Sequence, residues 1–201
     1  MQQYTHETVK SIPHLPIYCD QYETYCQMSP SHWHDHLEII YVLEGELQIF
    51  CNETNDLVCE DEFYVINSNK IHGTKSNGNI KALLIQIPYS YMESYIPDYE
   101  HIRFKECYRE NRQDDKYEQM KALLQSFARI YQEKGIGYEF LLMSRLEEFL
   151  YLLYTNYSRK ETDTSKESRQ IARLKEVLQY IASSYNEPVT LNEAARMASL
   201  S

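Results

Sequence analysis

His32, His34, His36 and Glu38 fall at every second position of one short run, His32-Trp33-His34-Asp35-His36-Leu37-Glu38. Side chains alternate faces along an extended strand, so these four share a parity and are expected to point the same way. Imidazoles and a carboxylate on one face make a metal box, or equally the polar lining of a pocket for a small molecule. Trp33 has the opposite parity and is expected in outer packing. The run leads straight into Ile39-Ile40-Tyr41-Val42-Leu43-Glu44-Gly45, a candidate strand and turn.

Whatever positions these residues is a folded domain of ordinary size. With 201 residues, 43% hydrophobic, 25% charged and 13% aromatic, the chain is long enough to bury a core and reads as folded and soluble. Its 19 tyrosines suit half-buried strands and pockets, where the ring packs and the hydroxyl finds a partner. Tyr18, Tyr41 and Tyr64 are candidates for a pocket wall, although tyrosines packed on a barrel would give the same pattern. The net charge of −10 argues against a surface built to grip nucleic-acid phosphates. The chain starts without a basic-then-apolar leader and has no apolar run of membrane-spanning length, which predicts a cytoplasmic protein with no membrane partner. Five cysteines without CxxC spacing (Cys19, Cys26, Cys51, Cys59, Cys107) read as reduced, mostly buried thiols and not as a zinc site.

Between Tyr18 and Ile87 short apolar runs alternate with Asn, Asp, Gly and Ser clusters, the pattern of closely spaced strands. Strands are predicted over 18–25, 37–43, 46–51, 57–59, 63–66, 72–75 and 80–87, with turns at Glu44-Gly45, residues 52–56, 67–69 and 77–79. So many short strands favour a barrel or sandwich. The connector 89–99 has room for a short helix. Tyr117, Met120, Leu123, Leu124, Phe127, Ile130 and Tyr131 then fall at helical spacing between Asp114 and Lys134, and a second helix is predicted over 138–157 after Gly135-Ile136-Gly137. Two helices around a glycine turn make an antiparallel hairpin. The second helix is apolar on more than one stripe. Leu142, Leu146, Phe149 and Leu153 therefore serve either the internal core or a homodimer contact.

A polar stretch, 158–168, marks a linker. Beyond it Ile171, Leu174, Val177, Leu178 and Ile181 share a helical face, and Thr190-Leu191-Asn192-Glu193 is a capping box that opens another helix. That helix has room for about two turns before the sequence stops at Ser201.

This tail resembles the opening of the DNA-binding domain of AraC-type transcription regulators, the matching residues being Thr190, Leu191, Ala194, Ala195, Leu200 and Ser201. The front half is similar to a cupin barrel: His32, His34, Glu38 and Gly45 match its first motif and the segment from Asp61 to His72 its second. There Asp61, Asn67 and Asn69 stand where cupins have Gly, Pro and Gly, and Ser76 where an Asn is common; His72 keeps the ligand type. His36 lies between motif positions and is taken as a neighbour.

The resemblance implies a mainly β plus α protein. A cupin (double-stranded β-helix) barrel over 1–106 would bind an effector, and a helical hairpin over 107–157 would dimerise. A linker over 158–168 would lead to the amino-terminal part of a helix-turn-helix domain over 169–201, its recognition helix absent. In that reading the chain is the sensing portion of a regulator, not an enzyme. A small effector, a sugar being what the family suggests, binds among His32, His34, Glu38, His72, Tyr41 and Tyr64. The chain pairs as a homodimer, and DNA is met through the missing carboxy-terminal helices. The alternative is a metal-dependent cupin enzyme, an oxygenase or isomerase, in which His32, His34, Glu38 and His72 hold a divalent transition metal (iron, manganese, nickel or zinc).

Overall fold

The computed structural model describes residues 5–9, 12, 14–51, 54–108, 110, 113–161, 190 and 196. The chain divides into two units, Met1–Lys160 and Glu161–Ser201, and all elements named below belong to the first. The helix expected from Ile171, the capping box and the helix-turn-helix reading of 169–201 lie outside the described residues, Thr190 and Arg196 excepted.

The first unit runs β1 (Thr5–His6), β2 (Tyr18–Tyr25), β3 (Met28–Trp33), β4 (Leu37–Cys51), β5 (Thr54–Cys59), β6 (Phe63–Ile66), β7 (His72–Lys75), β8 (Asn79–Ile87), α1 (Tyr89–Tyr95), a 3-10 turn (Tyr99–His101), β9 (Ile102–Phe104), α2 (Asp115–Glu133), α3 (Tyr138–Tyr157) and β10 (Ser158–Lys160). β4 is the hub. Its first half pairs with β6 and β8, its second half with β5 and β7, and the sheet continues outward to β2 on one side and to β3 and β1 on the other. The result is a cupin-like barrel of two facing sheets that share one strand.

β4 joins two predicted strands into one. The expected turn at Glu44-Gly45 is a bulge, where the register against β8 slips between Val42 and Glu44. Gly45 makes it possible: its φ is +86°, and a Cβ there would meet the Asn79 carbonyl oxygen at 2.2 Å. The slip flips parity. Ile40 and Val42 face the barrel interior before the bulge and Leu47, Ile49 and Cys51 after it, where they meet Val58, Tyr64, Ile66, Ile80 and Ala82. The outer face of the first sheet, Ile39, Phe63, Val65, Leu83 and Ile85 among others, carries a second and larger core with the helices.

α2 starts at Asp114, whose carboxylate accepts from the Lys116 backbone N–H at 2.9 Å, and ends at Lys134 in a left-handed conformation. α3 follows Gly137, and both helices lay their apolar faces on the barrel. Leu142, Leu146, Phe149 and Leu153 are completely buried inside this one chain. The expectation that these four form a dimer contact is therefore corrected: the face they occupy is filled by α2 and the barrel. The boundary drawn at 107 likewise separates parts that share a core.

The first three residues of the linker expected over 158–168 form a strand. Ser158, Arg159 and Lys160 form β10 and pair antiparallel with Phe104, Arg103 and Ile102. A strand pairs through its backbone, so polar composition did not reveal it. Among the described residues, no helix is long and apolar enough to cross a membrane.

Candidate functional site

His32 and His72 sit opposite each other on β3 and β7, and β7 in turn pairs His72 with Cys51 of β4. Their rings lie 4.3 Å apart, centroid to centroid. His34 follows in the bend between β3 and β4, its backbone carbonyl accepting from the Asn69 N–H at 2.9 Å. Glu38, near the start of β4, lies directly across from Gln86 of β8. The common parity read for 32 to 38 is thus broken by a bend between β3 and β4, yet His32, His34 and Glu38 still converge.

The ligand-type nitrogens of His32, His34 and His72 all lie within 4.8 Å of one another. Glu38 Oε2 is 2.8 Å from His34 Nε2 and 3.7 Å from His72 Nε2. His34, Glu38 and His72 are buried, whereas His32 lies at the rim. Two of the imidazoles are held by their far side. His32 Nδ1 donates to the Pro30 carbonyl and His72 Nδ1 to the Lys70 carbonyl, both at 2.9 Å. A carbonyl only accepts, so Nδ1 carries the proton in each, and in the neutral ring Nε2 keeps its lone pair toward the cluster. His72 Nε2 is buried and has no hydrogen-bond partner.

Burial acts to raise the pKa of Glu38, but the His34 and His72 imidazoles beside it outweigh that and hold the carboxyl below the usual range. It is an anion in the barrel wall. Gln86 supports it, donating from Nε2 at 2.9 Å.

Glu7 and Gln86 belong to the site although nothing in the motif reading pointed to them. β1 pairs parallel with β3, Thr5 opposite His32, and the Glu7 N–H donates to the Trp33 carbonyl at 3.0 Å. This register brings Glu7 Oε2 to 3.4 Å from His32 Nε2, 3.8 Å from His34 Nε2 and 3.3 Å from Gln86 Nε2. The hydrogen bond with Glu7 raises the His32 pKa, and the same bond lowers that of Glu7. Gln86 had a legible signal: it is a lone amide on the inner-facing parity of β8, between Leu84 and the strand end. Glu7 had none, because a two-residue parallel strand leaves no periodicity to read.

Of the remaining residues predicted for the site, Tyr18 stays beside it and the others separate. Tyr41 is removed from it. An odd number of positions separates it from Glu38, so it faces outward, where its hydroxyl donates to Asp61 Oδ1 at 2.6 Å under α2. Tyr64 does face the interior, but its hydroxyl donates to Asp56 Oδ2 at 3.0 Å and its ring belongs to the inner apolar core. Tyr18, half-buried on β2, stays at the edge of the site, directly across from Gln86 of β8. His36 bonds Asp35 at 2.8 Å, and Trp33 packs edge-on against His6. The degenerate second motif keeps its geometry: Asp61 and Asn69, in the positions of the glycines, both have φ of +64°, a conformation that Asp and Asn tolerate better than most residues. Asn67, in the proline position, is buried and bonded to β9.

A barrel of two sheets with two histidines and a glutamate entering β4, and a third histidine on β7, defines a cupin-like domain. The chain belongs to the family of AraC-like ligand binding domains, whose family model matches residues 20–150. No curated protein sequence matches the chain. Among solved structures it is similar to a conserved protein of unknown function from Streptococcus pyogenes, with 14% identity and a TM-score of 0.36 over 38% of this chain and 68% of that one. It is also similar to a cupin superfamily protein from Desulfitobacterium hafniense, with 15% identity and a TM-score of 0.35 over 36% and 68%. A mutant of the Bacillus subtilis oxalate decarboxylase matches at 18% identity and a TM-score of 0.35, over 39% of this chain and 22% of that chain.

Proposed function

We propose that this chain is the sensing portion of an AraC-type transcription regulator and not an enzyme. In this reading a small polar effector, a sugar being the first class to try, binds in the barrel, and its occupancy is passed to a DNA-binding domain that begins in the carboxy-terminal unit. The observation that carries the reading is the match of residues 20–150 to the ligand-binding family, over the region that holds the whole His32, His34, Glu38 and His72 cluster. For the effector to regulate anything, it must bind two arrangements of the protein with different affinity. The homodimer and the DNA contact are further parts of this proposal.

A second reading has its own observation. The fixed Nδ1–H donors of His32 and His72, the inward Nε2 atoms and the unpartnered His72 Nε2 fit a divalent transition metal. His32, His34, Glu38 and His72 would hold it. Three nitrogens and an oxygen suit iron, manganese, nickel or zinc, and a bound ion would polarise a coordinated oxygen of the effector or substrate. In both readings this chain's residues do the same work: the backbone carbonyls of Pro30 and Lys70 orient the rings, and Gln86 holds Glu38.

Elemental analysis of the purified chain, together with a thermal-shift screen of sugars and divalent cations, tests both. A sugar that raises Tm with no stoichiometric metal supports the sensor. Stoichiometric metal with no stabilising sugar moves the weight to a metal-dependent protein.

A further inference from the structure

We propose that Glu7, delivered by the amino-terminal strand β1, is an additional ligand of the cation held by His32, His34, Glu38 and His72, so that metal uptake and docking of the amino-terminal strand are one event. The proposal rests on the metal reading of the site.

The geometry comes from two carboxylates that both reach the histidines. Glu38 Oε2 lies 2.8 Å from His34 Nε2 and 3.7 Å from His72 Nε2, while Glu7 Oε2 lies 3.4 Å from His32 Nε2 and 3.8 Å from His34 Nε2. Donors about 2.1 Å from a common ion are separated by about 3 Å when they occupy adjacent positions. Each of these contacts is within reach of that value by small side-chain adjustments. The buried Nε2 of His72, without a hydrogen-bond partner, independently marks the centre as a place for a ligand-binding ion.

Gln86 links the two carboxylates, its Nε2 donating to Glu38 Oε2 at 2.9 Å and to Glu7 Oε2 at 3.3 Å. The two acids otherwise differ. Glu38 is buried in the barrel wall, whereas the Glu7 side chain is 45% exposed and Glu7 directly follows a strand of only two residues. Glu38 therefore belongs to the site whatever the first residues do, and Glu7 belongs to it only while β1 is paired with β3. A bond from an ion to Glu7 ties that strand down.

The test uses the full 201-residue chain and its Glu7→Gln variant. Gln is isosteric, can still hydrogen-bond the His32 ring through its amide, and cannot supply an anionic ligand. Zinc and cobalt(II) affinities are measured by competition with a chromophoric chelator, and backbone amide exchange at His6 and Glu7 is followed with and without the metal. Wild type is expected to bind metal and to slow exchange at those amides on binding. Glu7→Gln is expected to bind about tenfold more weakly or worse, with no metal-dependent slowing. Equal affinity and equal slowing in the variant would overturn the role of Glu7 while leaving the four-residue site intact. No metal uptake by wild type would overturn this proposal and the metal reading together.

Discussion

Asn67 and Phe104 are joined twice: Asn67 Oδ1 accepts from the Phe104 backbone N–H at 2.8 Å, and Asn67 Nδ2 donates to the Phe104 carbonyl at 2.9 Å. The side-chain amide thus pairs with β9 as a strand backbone would. Its loop also holds Asn69, bonded to the His34 carbonyl, while β9 pairs with β10, where the first unit ends. A continuous hydrogen-bonded path therefore runs from the histidine cluster to the exit of the domain. Asn67→Ala removes both bonds and leaves a buried N–H and C=O on Phe104 to find new partners. A loss of about 2 to 3 kcal/mol is expected in urea unfolding, at about 1 to 1.5 kcal/mol per bond. Asn67→Asp should be no better, since it sets a carboxylate against the Phe104 carbonyl and Glu106.

Asp61 ties the barrel to α2. Its carboxylate receives hydrogen bonds from Tyr41 at 2.6 Å and Gln125 at 2.7 Å, and lies 3.0 Å from Lys121 Nζ. Partial burial acts to raise its pKa, but these three partners outweigh it and the folded value is lowered. A depressed folded pKa gives stability that is fully present above the ordinary carboxylate range and is lost as pH falls through the folded value. Asp61→Asn keeps the left-handed backbone accessible and removes only the charge. Because the group is half exposed, the expected loss at neutral pH is about 1 kcal/mol or less. The unfolding free energies of wild type and variant should converge on acidification. A gap that stays constant down to strongly acidic pH would contradict the assignment.

Parity explains what the sequence did and did not disclose. The inner face of β4 up to the bulge could be read from Glu38, Ile40 and Val42, and the same rule already excluded Tyr41, which the attraction of a tyrosine for a polar pocket overrode. The bulge itself was visible only as a turn, because Gly45 signals a positive φ without saying whether the chain reverses or merely slips by a residue. β3 was missed because Pro30 sits in it, and β1, β9 and β10 because two or three residues hold too little pattern. The convergence of His32, His34, Glu38 and His72 was legible as a motif. The role of Glu7 depends on a pairing between segments that share no sequence signal.

Gly45 should tolerate no side chain. Its φ of +86° is already strained for other residues, and an added Cβ would sit 2.2 Å from the backbone oxygen of Asn79, which cannot swing away as a side chain could. Gly45→Ala must open the β4–β8 pairing at the bulge. The expected cost is about 3 kcal/mol or more, read as a large fall in Tm or as insoluble expression. Gly78→Ala is the control, since a Cβ there meets nothing within 4 Å, and it should leave Tm nearly unchanged.

The proposed dimer needs a face that the fold leaves open, and α3 has one. Phe140, Leu141, Tyr151 and Tyr154 are 84%, 50%, 64% and 37% exposed. With Ser144, Glu147 and Glu148 between them they follow steps of three and four along one side of the helix, away from the buried Leu142, Leu146, Phe149 and Leu153. Substitutions on the two sides should therefore act differently. Leu146→Asp places a charge in a sealed apolar site and is expected to cost several kcal/mol, so that it unfolds the chain whatever its oligomeric state. Phe140→Asp combined with Tyr151→Asp should leave Tm and circular dichroism close to wild type and shift sedimentation from dimer to monomer. A wild type that stays monomeric at high concentration would end the dimer proposal, and a dimer that survives the double substitution would move it to another surface.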